Sequence, residues 1–468
     1  MPEPKILFNV STGSDTAASG AGPTTALTGT GASLSSTTAV DLSADSPNLS
    51  GVATDGSACL WVSTSSGRQF AKITAVNNTT KVVTVALAYG VTETGRTWAI
   101  GGKRATLDAA SSRTLFGATS GTVHTTGWQP GWEVILETDQ TITSTLIFSG
   151  PNSTGFVNFR SNVDGTLRTI TCSANTSAVN WVIGGWLASC EIRDIKIQNS
   201  NATKTSANAV ILSGSGSNRN MLFRRCILGD PTNTIQQAIS PSGVTASCNF
   251  IDSCIQNCAG IAIDSTASVT MYGCLIRNNT GTVGLRVNGA PINVHNSIFH
   301  DNSGDHIQLN LTNFTGLALI ADCTLDAPGS DSLSNEIGSG GLNGYHAINC
   351  NFTTGGGFGV RGAVVSELPN CSAINCNFGS GADANASGAI SGTLYERDNI
   401  AEAGSYANKA GGNYSPGANI QAKGYPLSPA TLGAGQSVAT STIDIGANQS
   451  AGGGGGLILP RPMNGGLL

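Results

Sequence analysis

The chain has 468 residues, 39% of them hydrophobic and only 11% charged, with a formal net charge of −5. The charged share lies far below the roughly 25% usual in globular proteins, and the scattered Lys and Arg form no basic stripe, which excludes a nucleic acid partner. Apolar residues recur with a period, so the chain is not disordered, and no apolar run reaches the roughly 18 residues that membrane insertion by a helix requires.

Residues 1–57 read as an N-terminal arm. After Met1 to Phe8 the stretch is almost wholly Ser, Thr, Gly, Ala and Asp, which cannot make a large core alone. The first residues show no apolar segment of signal-peptide length, so synthesis in a reducing cytoplasm without secretory export is expected. Residues 58–107 read as a small β module. Its expected strands are Cys59 to Val62, Phe70 to Val76 and Lys81 to Leu87, the last two joined by Asn77-Asn78-Thr79-Thr80, with Trp98 to Leu107 closing it. The phrases Val10-Ser11-Thr12-Gly13-Ser14-Asp15 and Arg96-Thr97-Trp98-Ala99-Ile100-Gly101-Gly102-Lys103 resemble an N-terminal module of tailed-bacteriophage structural proteins. The resemblance covers about the first quarter of the chain and implies an attachment role.

Residues 108–394 read as a solenoid. It opens with Gly127 to Leu136, where Trp128 and Trp132 suit the covering of an open core end, and continues through irregular coils to Cys190-Glu191-Ile192-Arg193. From Phe223 to Phe378 one short phrase returns seven times, at Cys226, Cys254, Cys274, Ser297, Cys323, Cys350 and Cys376, with a mean step of 25 residues. A repeat of roughly 20 to 50 residues marks units that bury their apolar faces only by stacking on one another. Flanking runs such as Val283-Gly284-Leu285-Arg286-Val287 alternate with a period of two, and no run carries helical spacing. Asn278-Asn279-Thr280-Gly281 and Asp301-Asn302-Ser303-Gly304 supply left-handed backbone at corners. Strand and corner in alternation give an all-β fold, a parallel β-helix, with longer loops expected at Asn201 to Asn220, Asp230 to Ser247 and Asp326 to Gly344. The phrase resembles the Asn-Cys/Ser-x-apolar repeat of right-handed parallel β-helix proteins, and the resemblance implies that handedness.

After Leu394 the repeat fades. Residues 395–451, with Gly412-Asn413-Tyr414-Ser415 and Ile443-Asp444-Ile445-Gly446, resemble the closing segment of bacterial β-helix proteins and are expected to cap the last coil. Gly452 to Gly456 is a linker to the apolar peptide Leu457 to Leu468, which reads as a docking tag or as a disordered tail, so 452–468 form a last region.

Of the twelve cysteines, Cys190, Cys226, Cys254, Cys274, Cys323, Cys350 and Cys376 begin the same apolar phrase, and a column of packed thiols accounts for them better than disulfides or a metal, since no CxxC is matched by a second ligand pair. No cofactor is implied. The acidic residues of the repeats are Asp252, Asp264, Asp301, Asp305, Asp322 and Asp326, and the densest polar knot runs from His300 to His306. Asp301 stands four residues after Ser297 as Asn278 stands four after Cys274, the spacing of a stacked corner. Catalytic candidates are Asp301, Asp305 and His306, but glycan cleavage needs two flanking carboxyls, and no paired-Asp signature of that chemistry occurs. Tyr272, His295, His300 and Tyr345 are the candidates for glycan contact.

The resemblances imply a bacteriophage virion structural protein, a fibre-like or spike-like appendage. It would be assembled in the host cytoplasm, attached by its N-terminal region to tail or capsid proteins, trimeric as many such proteins are, and turned toward a host surface glycan. A tailspike polysaccharide depolymerase, hydrolase or lyase, is the alternative enzyme reading, and a bacterial surface adhesin the third.

Overall fold

A computed structural model of the chain describes residues 5–11, 27–109 and 133–378, with gaps inside the last two stretches, together with 395–397, 406–408 and 413–416. The expected Trp128 and Trp132 cover, the peptide of 452–468 and all but three short pieces of the closing region lie outside the described residues. Apart from a 3-10 turn at Ser43–Asp45, every described element is a strand. The chain forms two compact units, residues 1–222 with 242–245, and residues 223–241 with 246–468.

In the first unit, Leu27–Leu34, Ala39–Asp41, Val82–Val85, Phe70–Asn77, Cys59–Val62 and Glu93–Gly101 close in that order into an antiparallel barrel. Two of these strands come from the Ser/Thr/Gly-rich stretch read as an arm. Backbone pairing requires no apolar side chain, and Ala32, Leu34, Val40 and Leu42 are enough to fill that side of a core with Leu60, Ile73, Val83 and Trp98. Asp45 fastens the barrel, accepting from Trp98 Nε1 at 2.6 Å and from the Gly31 amide at 2.7 Å. Lys5–Phe8 stays outside the barrel and pairs in parallel with Glu133–Leu136 and with Lys103–Arg104. The chain therefore lays down a solenoid strand, makes the barrel, and returns to the same ladder. Parallel coils follow, with Gln140–Ile142, Arg168–Cys172 and Ile195–Asn199 stacked as one face.

The second unit is a parallel β-solenoid with three ladders. The first stacks Thr245–Ile251, Val269–Tyr272, Ile292–His295, Ala318–Ala321, Tyr345–Ile348 and Ser372–Ile374. The second stacks the short strands Ile227–Leu228, Cys254–Gln256, Leu275–Arg277, Ile298–His300, Thr324–Asp326, Asn351–Phe352 and Asn377–Phe378. The third stacks Gln237–Ser242, Ile263–Ser265, Val283–Asn288, Asp305–Asn310, Leu333–Asn335 and Val360–Gly362. Strands of this ladder thus occupy parts of the stretches expected as long loops at 230–247 and 326–344, and Asn208–Gly214 and Ser217–Arg224 do the same in 201–220. Their Ser, Gly and Asn content resembles a loop, yet a parallel ladder holds them through backbone bonds.

The corner between the first and second ladders explains the repeated phrase. Arg225, Asp252, Gly273, Asn296, Asp322, Asn349 and Asn375 all sit in the left-handed region, with φ from 47° to 62°. The residue after each is small and carries a donor: Cys226, Ser253, Cys274, Ser297, Cys323, Cys350 and Cys376. That donor turns back to the carbonyl two residues earlier, as Ser253 Oγ does to Ile251 at 3.0 Å, Ser297 Oγ to His295 at 2.8 Å and Cys350 Sγ to Ile348 at 3.4 Å. Ser253 and Ser297 also accept the amides of Cys226 and Cys274, one coil earlier, each at 3.1 Å. Serine and cysteine exchange here because the column needs a small buried donor.

Two positions of the expected thiol column are corrected by this register. Ser253 takes the place given to Cys254, and Cys254 pairs with Ile227 and Leu275 in the neighbouring column. Cys190 belongs to Ser189–Arg193, before the left-handed Asp194, and not after a corner. All ten cysteines whose side chains are described are buried thiols outside any disulfide. Like residues also stack between coils: Phe223 on Phe250 and Phe352 on Phe378, each with ring centroids 5.0 Å apart, and Asn375 on Asn349 on Asp322 through amide bonds of 2.9 and 3.0 Å.

Candidate functional site

One coil of the second unit, from Ile298 to Asn310, holds the polar knot. Its corner residue Asp301 has φ 47°, as Asn278 has φ 53° and Asn257 φ 57°, so the expected stacked corner is present. Asp301 donates its amide to the Asp326 carbonyl of the next coil at 3.2 Å. Gly304 lets the coils close up behind it, because a Cβ there would lie 1.8 Å from the Thr282 carbonyl oxygen.

The knot divides into an inner and an outer part. Inside, His306 is wholly buried and lies 6.0 Å from the Phe299 ring. Asn302 Nδ2 donates to His306 Nδ1 at 2.9 Å and to the Ile276 carbonyl at 3.2 Å, and its Oδ1 accepts both the backbone and the side-chain N–H of Asn279, at 3.2 and 2.8 Å. With Nδ1 accepting, the proton sits on Nε2, which donates to the Asp326 carbonyl at 2.9 Å. Burial drives the His306 pKa down to about 3, so the ring is neutral. Asp305 is equally committed: its carboxylate accepts the Asp331 amide at 3.0 Å and the Ser334 hydroxyl. Both candidates tie neighbouring coils together and offer no open atom to a glycan.

Outside, His300 lies between two carboxylates. Its Nε2 is 2.9 Å from Asp301 Oδ2, and its Nδ1 is 3.1 Å from Asp326 Oδ2. Asp301 is open, with its side chain 49% exposed, while that of Asp326 is 3% exposed. The Nδ1–Asp326 contact has the geometry of a hydrogen bond, while Nε2 meets Asp301 as a close polar contact only. Asp326 is the residue that sequence reasoning left out of the candidates. Its signal was register: with the coils aligned, His300 and Asp326 are ladder partners.

The candidates for glycan contact separate widely. Tyr345 is completely buried and belongs to the core, because the alternation of Val269, Met271, Val294, Ile320 and Ala347 turns its position inward. Tyr272 is part-exposed and stacks on His295 with centroids 4.9 Å apart and planes 8° from parallel. One face of the tyrosine on which a pyranose would stack is therefore taken by the partner ring. His295 is 5% exposed, and burial lowers its pKa. A second polar group that the sequence did not single out lies on the third ladder, where Arg286 grips the Asp264 carboxylate through Nε at 3.1 Å and through Nη2, and Asn288 Nδ2 joins it at 2.8 Å.

No protein-family model matches the chain, and no curated protein matches it. Among the described residues no helix is long and apolar enough to cross a membrane.

Proposed function

We propose that the chain is a bacteriophage virion structural protein, a fibre-like or spike-like appendage whose N-terminal region attaches to the particle and whose solenoid meets a host surface glycan. The observation that carries the reading is the register of the second ladder, where seven strands stack in order from Ile227 to Phe378. Such stacking makes a stiff body in which every coil buries its apolar residues against the next, a form suited to display outside a cell. The partly exposed Asp264, Arg286 and Asn288, with Tyr272, supply the planar polar groups that bind sugar hydroxyls.

The depolymerase reading has one observation in its favour: oxygens of Asp301 and Asp326 lie within 4.8 Å of each other, close to the spacing of carboxyls in retaining glycosidases. Asp326 is too enclosed to reach a glycosidic oxygen, so display without cleavage is the stronger reading. Mass spectrometry of particles purified from an infected host tests it. The chain should co-purify with particles in fixed stoichiometry, and its absence from them defeats the proposal. For the second reading, reducing-end release from host polysaccharide that disappears in Asp301→Ala would replace display by cleavage.

A further inference from the structure

We infer that His300, Asp301 and Asp326 form a binding site for a single divalent transition-metal ion of the zinc or manganese class. One donor atom from each residue lies within 4.8 Å of the other two, a set that one cation can bridge. The 2.9 Å between His300 Nε2 and Asp301 Oδ2 is slightly shorter than the roughly 3.3 Å edge of a tetrahedral zinc site with bonds of about 2.05 Å, so a small side-chain shift would admit the ion.

The surroundings favour the metal. Two carboxylates face one imidazole, and the nearest cation along the ladder, Arg277, directs Nε and Nη2 to Gln256 Oε1 at 3.2 and 3.1 Å. His306, the other histidine of the coil, spends both ring nitrogens on Asn302 and the Asp326 carbonyl and does not compete. His300 and Asp326 are held by the strands Ile298–His300 and Thr324–Asp326, and Asp301 by its left-handed corner, so the backbone of all three is fixed before any ion arrives. Half-exposed Asp301 leaves a path for the ion and room for water ligands. An imidazole nitrogen with two carboxylates suits zinc or manganese, whereas calcium takes six to eight oxygens and finds too few here. Because His300 and Asp326 belong to successive coils, the bound ion would clamp one coil to the next.

The test is isothermal titration of the full chain with ZnCl2, MnCl2 and CaCl2 at near-neutral pH, with melting temperature as a second readout. Wild type should bind one Zn2+ or Mn2+ with micromolar affinity and melt several degrees higher when loaded. Asp301→Asn should weaken binding by about ten-fold or more, and His300→Gln should abolish it together with the melting shift. Asp301→Asn keeps the corner, since Asn278 already holds the same conformation one coil earlier. A His295→Gln variant should bind as wild type does. Equal affinity in wild type, Asp301→Asn and His300→Gln would mean the ion sits elsewhere, on thiols for example, and overturns the site. Calcium bound as tightly as zinc, or no binding of any of the three ions at millimolar concentration, overturns it too.

Discussion

His300 and His306 stand in the same coil and belong to opposite kinds of environment. His306 has no exposed surface, and each of its ring nitrogens meets a partner of complementary character. His300 meets two partners of the same character, both carboxylates, and one of them opens to solvent. The inner corner is closed as a hydrogen-bond network and holds coils together, while the outer one sets two carboxylates about one imidazole and opens one of them to solvent. In a solenoid, where every coil repeats the same backbone, function is read from the position at which polar groups gather at the surface.

Substitution of His306 should produce the largest effect on the inner side of this contrast. His306→Ala removes a buried ring and one hydrogen bond each from Asn302 Nδ2, which keeps the Ile276 carbonyl, and from the Asp326 carbonyl, which keeps the Asp301 amide, and should cost roughly 3–5 kcal/mol in urea unfolding. The acid limb carries the same signature. The folded pKa of about 3 lies below the ordinary histidine value, so the unfolded chain takes up the proton first as pH falls. Stability from this group is complete above about pH 6.5 and is lost progressively toward pH 3, by at most about 4–5 kcal/mol. In His306→Ala that part of the pH dependence should vanish; an unchanged acid limb would show that the ring is not held neutral.

Asp322 tests the contrast from the other direction, as an inner residue whose network does not close. It sits at a left-handed corner, receives Asn349 Nδ2 at 3.0 Å, and burial raises its pKa to about 7. Its folded pKa exceeds its unfolded value, so its contribution is complete below about pH 4 and lost as pH rises through 7, opposite in sign to that of His306. Asparagine occupies the same corner at Asn296 and Asn349 and carries no charge. Asp322→Asn should therefore stabilise the protein by roughly 2–3 kcal/mol at pH 8 and by much less at pH 4, measured by urea unfolding at the two values. Destabilisation at pH 8 would show that the carboxylate is satisfied by partners as His306 is.

The seven-fold phrase shows how far sequence reaches in such a fold. Periodicity exposed the coils, because the left-handed corner admits few residue types and the next position needs a small donor. The register slipped by one at Ser253-Cys254, where two residues of nearly equal size and chemistry stand side by side and only the left-handed Asp252 decides between them. The barrel strands at Leu27–Leu34 and Ala39–Asp41 were hidden for another reason: apart from each other, their partners lie 41 (Asp41 to Val82) to 73 (Leu27 to Ile100) residues away, and composition says nothing of distant pairing. Asp326 escaped as a site residue because its relation to His300 is vertical, across coils, and becomes visible only after the columns are aligned. Ser297 turns this lesson into a smaller effect. Ser297→Cys should change stability by less than about 1 kcal/mol, since cysteine fills the same column in five other coils, whereas Ser297→Ala takes the acceptor from the Cys274 amide and one of two donors from the His295 carbonyl, which keeps the Gly273 amide, and should cost about 1–3 kcal/mol in thermal or chemical unfolding. Equal losses in the two variants would mean that packing volume, and not the donor, selects residues at this corner.

The smallest effect is expected at the outer corner, and it sharpens the contrast most. In metal-free buffer Asp301→Asn should alter stability by less than about 0.5 kcal/mol, because an exposed ion pair contributes little and asparagine accepts the left-handed backbone without strain. Its amide-to-carbonyl bond with Asp326 is made by the backbone and survives the change. A loss above about 1 kcal/mol in chelator-treated protein would place Asp301 among the coil-binding residues with Asp305 and His306, and the difference between closed and open corners would disappear. A near-zero loss leaves the carboxylate with no structural duty in a coil where its neighbours Asn302, Asp305 and His306 all have one, which is the condition under which a side chain is free to hold a ligand.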